Sequence, residues 1–223
     1  MSSSDTDTPA QTQATIIYEG IRRGIFSGNL KPGDRLRVDK LRQQYDSSGS
    51  PVREALNRLS ANGLVEKQDN RGFCVPEISR GELQEIYKTR SWLEETALRE
   101  SIRHGDKEWE EQIVLALHRL NRTPRRTADD KESNPEWDQL HRDFHLSLVS
   151  GCRSRFLLQY CEQLHDQTDR YRQVAVSIAP ERKSKDEHQE IVDLVINRDA
   201  NKAVEKLLSH YERTQSIILQ GDL

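Results

Sequence analysis

Glycine and proline are unevenly spread along this chain, and their placement limits what each part can become. Seven of the eleven glycines and four of the seven prolines fall at or before Pro76. Such punctuation breaks a chain into short elements joined by tight turns, whereas the stretch beyond Pro76 is free to form long helices. The expected architecture is therefore mainly α, with a small N-terminal domain at residues 11–77 and an all-α domain at 78–220. Residues 1–10 are Ser, Thr and Asp with little to bury and are expected to be a disordered tail.

The first domain reads as a short α/β unit. Ile16, Ile17, Ile21 and Ile25 recur every three to four residues, one apolar stripe of a helix from Thr15 to Phe26. Gly28, Pro32 and Gly33 stop it, and Leu36, Val38 and Leu41 lead into a second short helix ending near Tyr45. After the polar turn Asp46–Ser50, Ser50 is the expected N-cap and Pro51 the first residue of a third helix. That helix buries Val52, Ala55, Leu56 and Leu59 and closes on Gly63. Leu64–Gln68 and Phe73–Pro76 flank a turn at Asp69–Gly72, which predicts a hairpin. Helix, helix, turn, helix, wing is an arrangement that places its last helix in the major groove of DNA. Arg53, Asn57 and Arg58 lie off the apolar stripe of that helix, where they reach base edges or phosphates.

Charge agrees. The whole chain has a net charge of -3, yet residues 11–76 carry 11 Lys and Arg against 7 Asp and Glu. A basic first third on an acidic remainder suits one domain that meets a polyanion and one that does not. No run of about 18 apolar residues is present, so no membrane span is expected, and no secretory leader is recognisable; a cytoplasmic protein follows. Cys74, Cys152 and Cys161 lack CxxC spacing and are expected to be buried thiols.

Six helices are expected beyond Pro76, near Ser79–Arg103, Asp106–Leu120, Pro135–Ser150, Arg153–Ser177, Lys183–Asn197 and Ala200–Leu219, packed as an antiparallel bundle. Ser79 with Glu82 is a capping-box pattern for the first, and 121–134 reads as an exposed loop. His141 and His145, four residues apart, share one helix face. His188 and His210 fall on the inner sides of the fifth and sixth helices. Four imidazoles from three helices suit Zn²⁺ or Ni²⁺, though they also suit four unrelated polar core positions. HExxH, GxSxG and phosphate-loop patterns are absent, and no general base is evident, so catalysis is not expected.

The run Gly28, Leu30, Pro32, Gly33, Leu36, then Ser50–Leu56 (SPVREAL), then Gly63, Leu64, Val65, Arg71, Gly72 and Val75 resembles the GntR winged helix-turn-helix. That resemblance implies a transcriptional repressor or activator binding a short operator palindrome in double-stranded DNA as a homodimer. It implies a DNA contact for Arg53 and phosphate contacts for Ser48, Ser50, Arg71 and the wing-tip Gly72. Gly49 stands where the family usually has a base-reading Arg. The segment Leu140–His145 with Leu148, Gly151, Glu187, His188, Ile191, Ala203 and His210 resembles the FadR C-terminal ligand-binding domain in its metal-binding form. There the site is Asp and three His; His145, His188 and His210 match the three His, and His141 stands in place of the Asp. A neutral ligand replacing an anion leaves the site more positive and more attractive to an anionic effector.

The resemblance further implies an effector carboxylate clamped by Arg90. Arg170 and Arg172, around Tyr171 on the fourth helix, are additional cavity candidates or part of a solvated face, and Asp138, one turn before His141, is an outer acceptor or a plain surface residue. The stretch Glu136–Gln159 is similar to the carbon-starvation-induced regulator (CsiR-like) group, which implies control of carboxylic-acid catabolism with glutarate or a related dicarboxylate as effector. Two other readings remain: the metal itself is the signal, or the bundle is a metal-dependent enzyme joined to a DNA-binding domain.

Overall fold

A computed structural model describes residues 11–69, 71–127, 134–171 and 184–221, and the chain divides into two compact units, the first ending at Pro76 and the second taking the residues from Glu77 on together with Phe26–Gly28. The expected tail at 1–10 lies outside the described residues.

The first unit holds α1 (Gln13–Phe26), β1 (Arg35–Leu36), α2 (Val38–Gln44), α3 (Gly49–Ala61), β2 (Glu66–Gln68) and β3 (Gly72–Cys74). Its core is the apolar stripe of α1 against that of α3: Ile17, Ile21, Val52, Ala55, Leu56 and Leu59 are all essentially inaccessible. Ile16, expected on the stripe, is 41% exposed, because Ile17 rather than its neighbour takes the inward position. β3 is the central strand of an antiparallel sheet ordered β1-β3-β2, with Phe73 opposite both Leu36 and Lys67. The two-residue β1 goes beyond the hairpin read from the sequence.

α3 starts two residues earlier than expected, at Gly49 rather than Pro51. Ser48 is its N-cap, Gly49 and Ser50 are already helical, and Pro51 sits in the first turn, where amide hydrogens have no helical acceptors in any case. The helix closes as expected from Gly63. With Gly63 at φ 74, its amide donates to the Ser60 carbonyl at 3.1 Å and the Leu64 amide to that of Leu59 at 3.0 Å, a Schellman closure. Gly63→Ala puts a Cβ into left-handed backbone. It is expected to cost about 1–2 kcal/mol in denaturant unfolding, and an unchanged midpoint would count against this role.

Among the described residues the second unit holds six α-helices and one 3-10 turn: α4 (Arg80–His104), α5 (Lys107–Arg122), α6 (Pro135–Val149), the turn at Ser150–Cys152, α7 (Arg155–Asp169), α8 (Ser184–Ile196) and α9 (Ala200–Leu219). α4 packs on α7 and α9, α5 on α6, and α8 on α9. Side-chain caps fix several starts: Ser79 accepts from the Glu82 amide, Asp106 from Trp109, Asn134 from Glu136 and Ser154 from Leu157. The reciprocal half of the Ser79 box runs through Tyr171, whose hydroxyl donates to the Glu82 carboxylate and accepts from the Ser79 amide at 3.4 Å. α7 begins two residues after the start of the Arg153–Ser177 helix the periodicity suggests and ends at Asp169; residues 172–177 of that expectation lie outside the described residues. Arg153, at φ 57, and the cap at Ser154 set its start, and Asp169 is its last residue before a turn at Arg170–Tyr171. All three cysteines are free and buried. No helix of the described residues is long and apolar enough to cross a membrane.

Candidate functional site

Two surfaces carry the residues singled out in the sequence. On α3, Val52, Ala55, Leu56 and Leu59 face inward, which leaves Arg53 and Asn57 outward with Ser48 and Ser50 exposed at the helix start. Arg53 makes no hydrogen bond or ion pair within its own unit among the described residues. Arg58 is different: its guanidinium lies 4.6 Å over the Tyr18 ring and donates to the Thr15 hydroxyl at 3.3 Å, so part of its role is to tie α3 to α1. A Cβ at Gly49 would touch only Arg42 Cδ, at 3.7 Å, so packing alone does not impose glycine there. At the wing, Arg71 is exposed, and Gly72, at φ +84, has open space around it. A phosphate backbone therefore has close access to that turn.

The second surface lies inside the bundle. α6 supplies His141 and His145, α8 supplies His188, and α9 supplies His210. One nitrogen from each of the four rings lies within 4.8 Å of all the others, and the Nε2 atoms of His141 and His145 are 3.1 Å apart. Nitrogens about 2.0–2.1 Å from one ion are about 3.3 Å apart in a tetrahedron and at most about 4.2 Å apart in an octahedron. Small ring rotations thus bring the set to a metal, and its all-imidazole chemistry fits Zn²⁺ or Ni²⁺. Trp137 stacks on His141 with centroids 4.8 Å apart, and the other three rings are 5% exposed or less.

The hydrogen-bond network assigns tautomers that favour ligation. Glu187 Oε2 is 2.7 Å from His210 Nδ1, and Arg213 donates to the other Glu187 oxygen at 2.6 Å. His210 Nδ1 therefore carries the proton and Nε2 the lone pair. The Tyr211 hydroxyl donates to Glu94 and lies 3.3 Å from His145 Nδ1, so His145 also protonates Nδ1 and presents Nε2. Burial, with His210, His188 and Arg90 close by, holds His145 well below the usual histidine range, which keeps it neutral. Glu187→Gln is expected to weaken metal affinity about tenfold to a hundredfold while leaving the fold intact, read by competition with a chromophoric chelator. Wild-type affinity in that variant would remove Glu187 from the site.

Arg90 lines the cavity beside the histidines, as expected, but it is not solely a clamp. Its Nε donates to Glu94 at 2.7 Å, its Nη2 to Tyr211 at 3.1 Å, and both charged side chains are buried. Burial raises the Tyr211 phenol well above its usual value, Arg90 opposes this and Glu94 adds to it, so the hydroxyl stays a donor. Arg170 does not line the cavity: it donates to the Glu77 carbonyl at 3.1 Å and approaches Glu82 at 3.5 Å, bracing α4 near its start. Arg172 lies outside the described residues. His165, which matches none of the resemblance's ligand positions, is fully buried, with its ring 5.8 Å from that of His145. Arg125, Thr168, Asp169 and Thr214 also line the cavity and were not singled out in the sequence. Only the turn of α7 toward α6 brings Thr168 and Asp169 there, and no local pattern announces it.

The cavity holds about 50 Å³, space on the order of three or four waters. A macromolecular segment does not fit it.

Residues 13–75 match the family described as bacterial regulatory proteins, gntR family, and residues 85–213 match the FCD domain. The chain is 38% identical over 208 residues to the uncharacterized HTH-type transcriptional regulator BphR of Paraburkholderia xenovorans, covering 92% of this chain and 85% of that one. It is 32% identical to the HTH-type transcriptional repressor GlaR of Escherichia coli, covering 92% and 94%. The structure of E. coli McbR/YncC superposes with a TM-score of 0.79 at 21% identity, covering 94% of this chain and 98% of the other, a likeness of fold. These relatives are transcriptional regulators rather than enzymes, in keeping with the absence of a catalytic constellation in the sequence.

Proposed function

The chain belongs to the GntR family of bacterial regulatory proteins and carries an FCD domain, and from that premise we propose that it is a cytoplasmic, homodimeric repressor that a small carboxylate releases from its operator. The observation that supports this most is the inward-facing set of four imidazoles on three helices, two of them oriented by Glu187 and Tyr211, with His141, His145 and His210 on the wall of a small cavity. Bound Zn²⁺ or Ni²⁺ would supply a concentrated positive charge for a carboxylate, with no protein anion among the four ligands to offset it. Arg90 adds a guanidinium to the same wall. Glutarate or a related dicarboxylate is the candidate. Similarity to GlaR, a transcriptional repressor, supports the direction of regulation. Release follows if the effector favours the bundle arrangement in which the two DNA-binding units no longer match their half-sites.

Elemental analysis of the purified protein, followed by thermal shift against C3 to C6 mono- and dicarboxylates, tests this reading. One metal per chain and a large shift with one acid is the expected result. Neither metal nor shift would leave a DNA-binding regulator with an unliganded polar core. A graded loss of operator binding with free metal, insensitive to every acid, would make the metal itself the signal.

A further inference from the structure

Among the described residues the three most exposed large hydrophobic side chains are aromatic and lie on two neighbouring helices. They are Trp92 of α4, 60% exposed, and Phe156 and Tyr160 of α7, 61% and 54% exposed. Phe156 and Tyr160 are four residues apart and share one stripe of α7. Trp92 is level with the Tyr160 turn, because the adjacent Cys161 thiol feels the charges of Glu94 and Arg90, which bracket Trp92 along α4. Successive helical residues are about 100° apart, so Trp92 points almost directly away from those two buried side chains. Lys88 and Arg155 lie over the rings of Trp92 and Phe156, at 5.1 and 4.6 Å, without covering them.

A fully covered aromatic side chain contributes about 150–250 Å², so these three at their exposures offer about 270–450 Å² per chain. That is about a third to a half of the roughly 800 Å² each partner gives to a standard interface, and it is the apolar core of one rather than its polar rim. Charge says what covers it. Within two turns of Trp92, its stripe of α4 carries Glu85, Lys88, Glu95 and Arg99, two acids and two bases. Such a face has no net attraction for a polyanion and no net repulsion for its own copy. Glu85 and Arg99 are equally spaced about Trp92, as are Lys88 and Thr96, and Thr89 and Glu95. A two-fold axis through Trp92 and perpendicular to α4 therefore sets no like charges opposite one another.

We propose that the face around Trp92, Phe156 and Tyr160 is where two copies of this chain join. This rests on the homodimer reading above and assigns its surface. α4 carries Trp92 on one side and the cavity-lining Arg90 on the other, so interface and cavity are separated by one helix, on the order of 10 Å across.

Sedimentation velocity on full-length, DNA-free protein at micromolar concentration tests it. The wild type is expected to run at twice the 25.9 kDa mass of one chain. Trp92→Glu and Tyr160→Glu are each expected to weaken self-association a hundredfold or more, since a two-fold interface meets every substitution twice, and to keep the helical circular dichroism of the wild type. Trp92→Phe is expected to retain the dimer. Val114→Ser combined with Leu115→Ser, at exposed apolar positions of α5, is expected to leave it unchanged. As a readout that needs no disruptive change, p-benzoylphenylalanine in place of Phe156 is expected to give a covalent dimer on irradiation. Dimers that persist in both glutamate variants leave this face to some other partner and overturn the proposal. No cross-link from position 156, or a dimer lost only in the α5 variant, overturns it as well. A wild type that stays at single-chain mass with and without operator DNA overturns the homodimer reading itself.

Discussion

Purified protein carrying His188→Ala is expected to contain less than a tenth of an ion per chain where the proposed site in the wild type would hold one, and to lose the response to an acid that the proposal assigns to it. Structural zinc sites bind with about 10–16 kcal/mol in total, so one of four ligands accounts for roughly 3 kcal/mol, a hundredfold or more in affinity. His188 is the one histidine of the proposed set on α8, and its ring is 1% exposed, packed 4.9 Å from that of Phe144. Its loss also opens a void, so His188→Gln, which nearly preserves the volume, should accompany it. Both variants should keep the helical circular dichroism of the wild type. Full metal occupancy in either, measured by elemental analysis, would mean the ion sits elsewhere.

Arg53→Ala is expected to bring operator affinity down close to that for random DNA. A bidentate arginine contact to a guanine is worth about 1–3 kcal/mol of discrimination, and a dimer makes it twice, which is on the order of 30-fold to 10⁴-fold. Because Arg53 points outward and has no bond within its own unit among the described residues, the variant should melt like the wild type and retain its metal. Arg58→Ala provides the contrast. Loss of its contact over Tyr18 is expected to lower the stability of the first unit by about 0.5–1 kcal/mol in addition to any effect on DNA. Fluorescence anisotropy on operator and scrambled duplexes at one fixed salt concentration separates the two. An operator preference left unchanged in Arg53→Ala would remove this residue from the base-reading set.

Much of this was legible in the sequence because it is written in local pattern. The apolar spacing of α3 and the glycine at its C-terminus fixed which of its residues face out. The i, i+4 spacing of His141 and His145, and the inward register of His188 and His210, were enough to bring four rings together. What escaped was carried by contacts between segments far apart in the chain. Glu94 and Tyr211 meet across 117 residues and Glu187 and His210 across 23, so the orienting partners of the imidazoles have no signature of their own. His165 and Asp169 follow the ordinary spacing of an inner helix face, and nothing local separates a cavity wall from a core. The missed start of α3 has a different cause: Ser48 and Ser50 are equally good N-caps on composition, and the choice falls to the geometry of the preceding turn.

The Arg90–Glu94–Tyr211 cluster sits partway along a 25-residue helix that begins at Arg80, four residues beyond Pro76. From Glu94 to Arg80 is about 21 Å along the helix axis. Treated as a rigid rod pivoting at Glu94, α4 turns a tilt of about 5° into a displacement of about 2 Å at its first residue, more than half the roughly 3.4 Å rise of a base pair. Any tilt of α4 about that buried cluster is therefore largest at the end from which the chain leads back to Pro76.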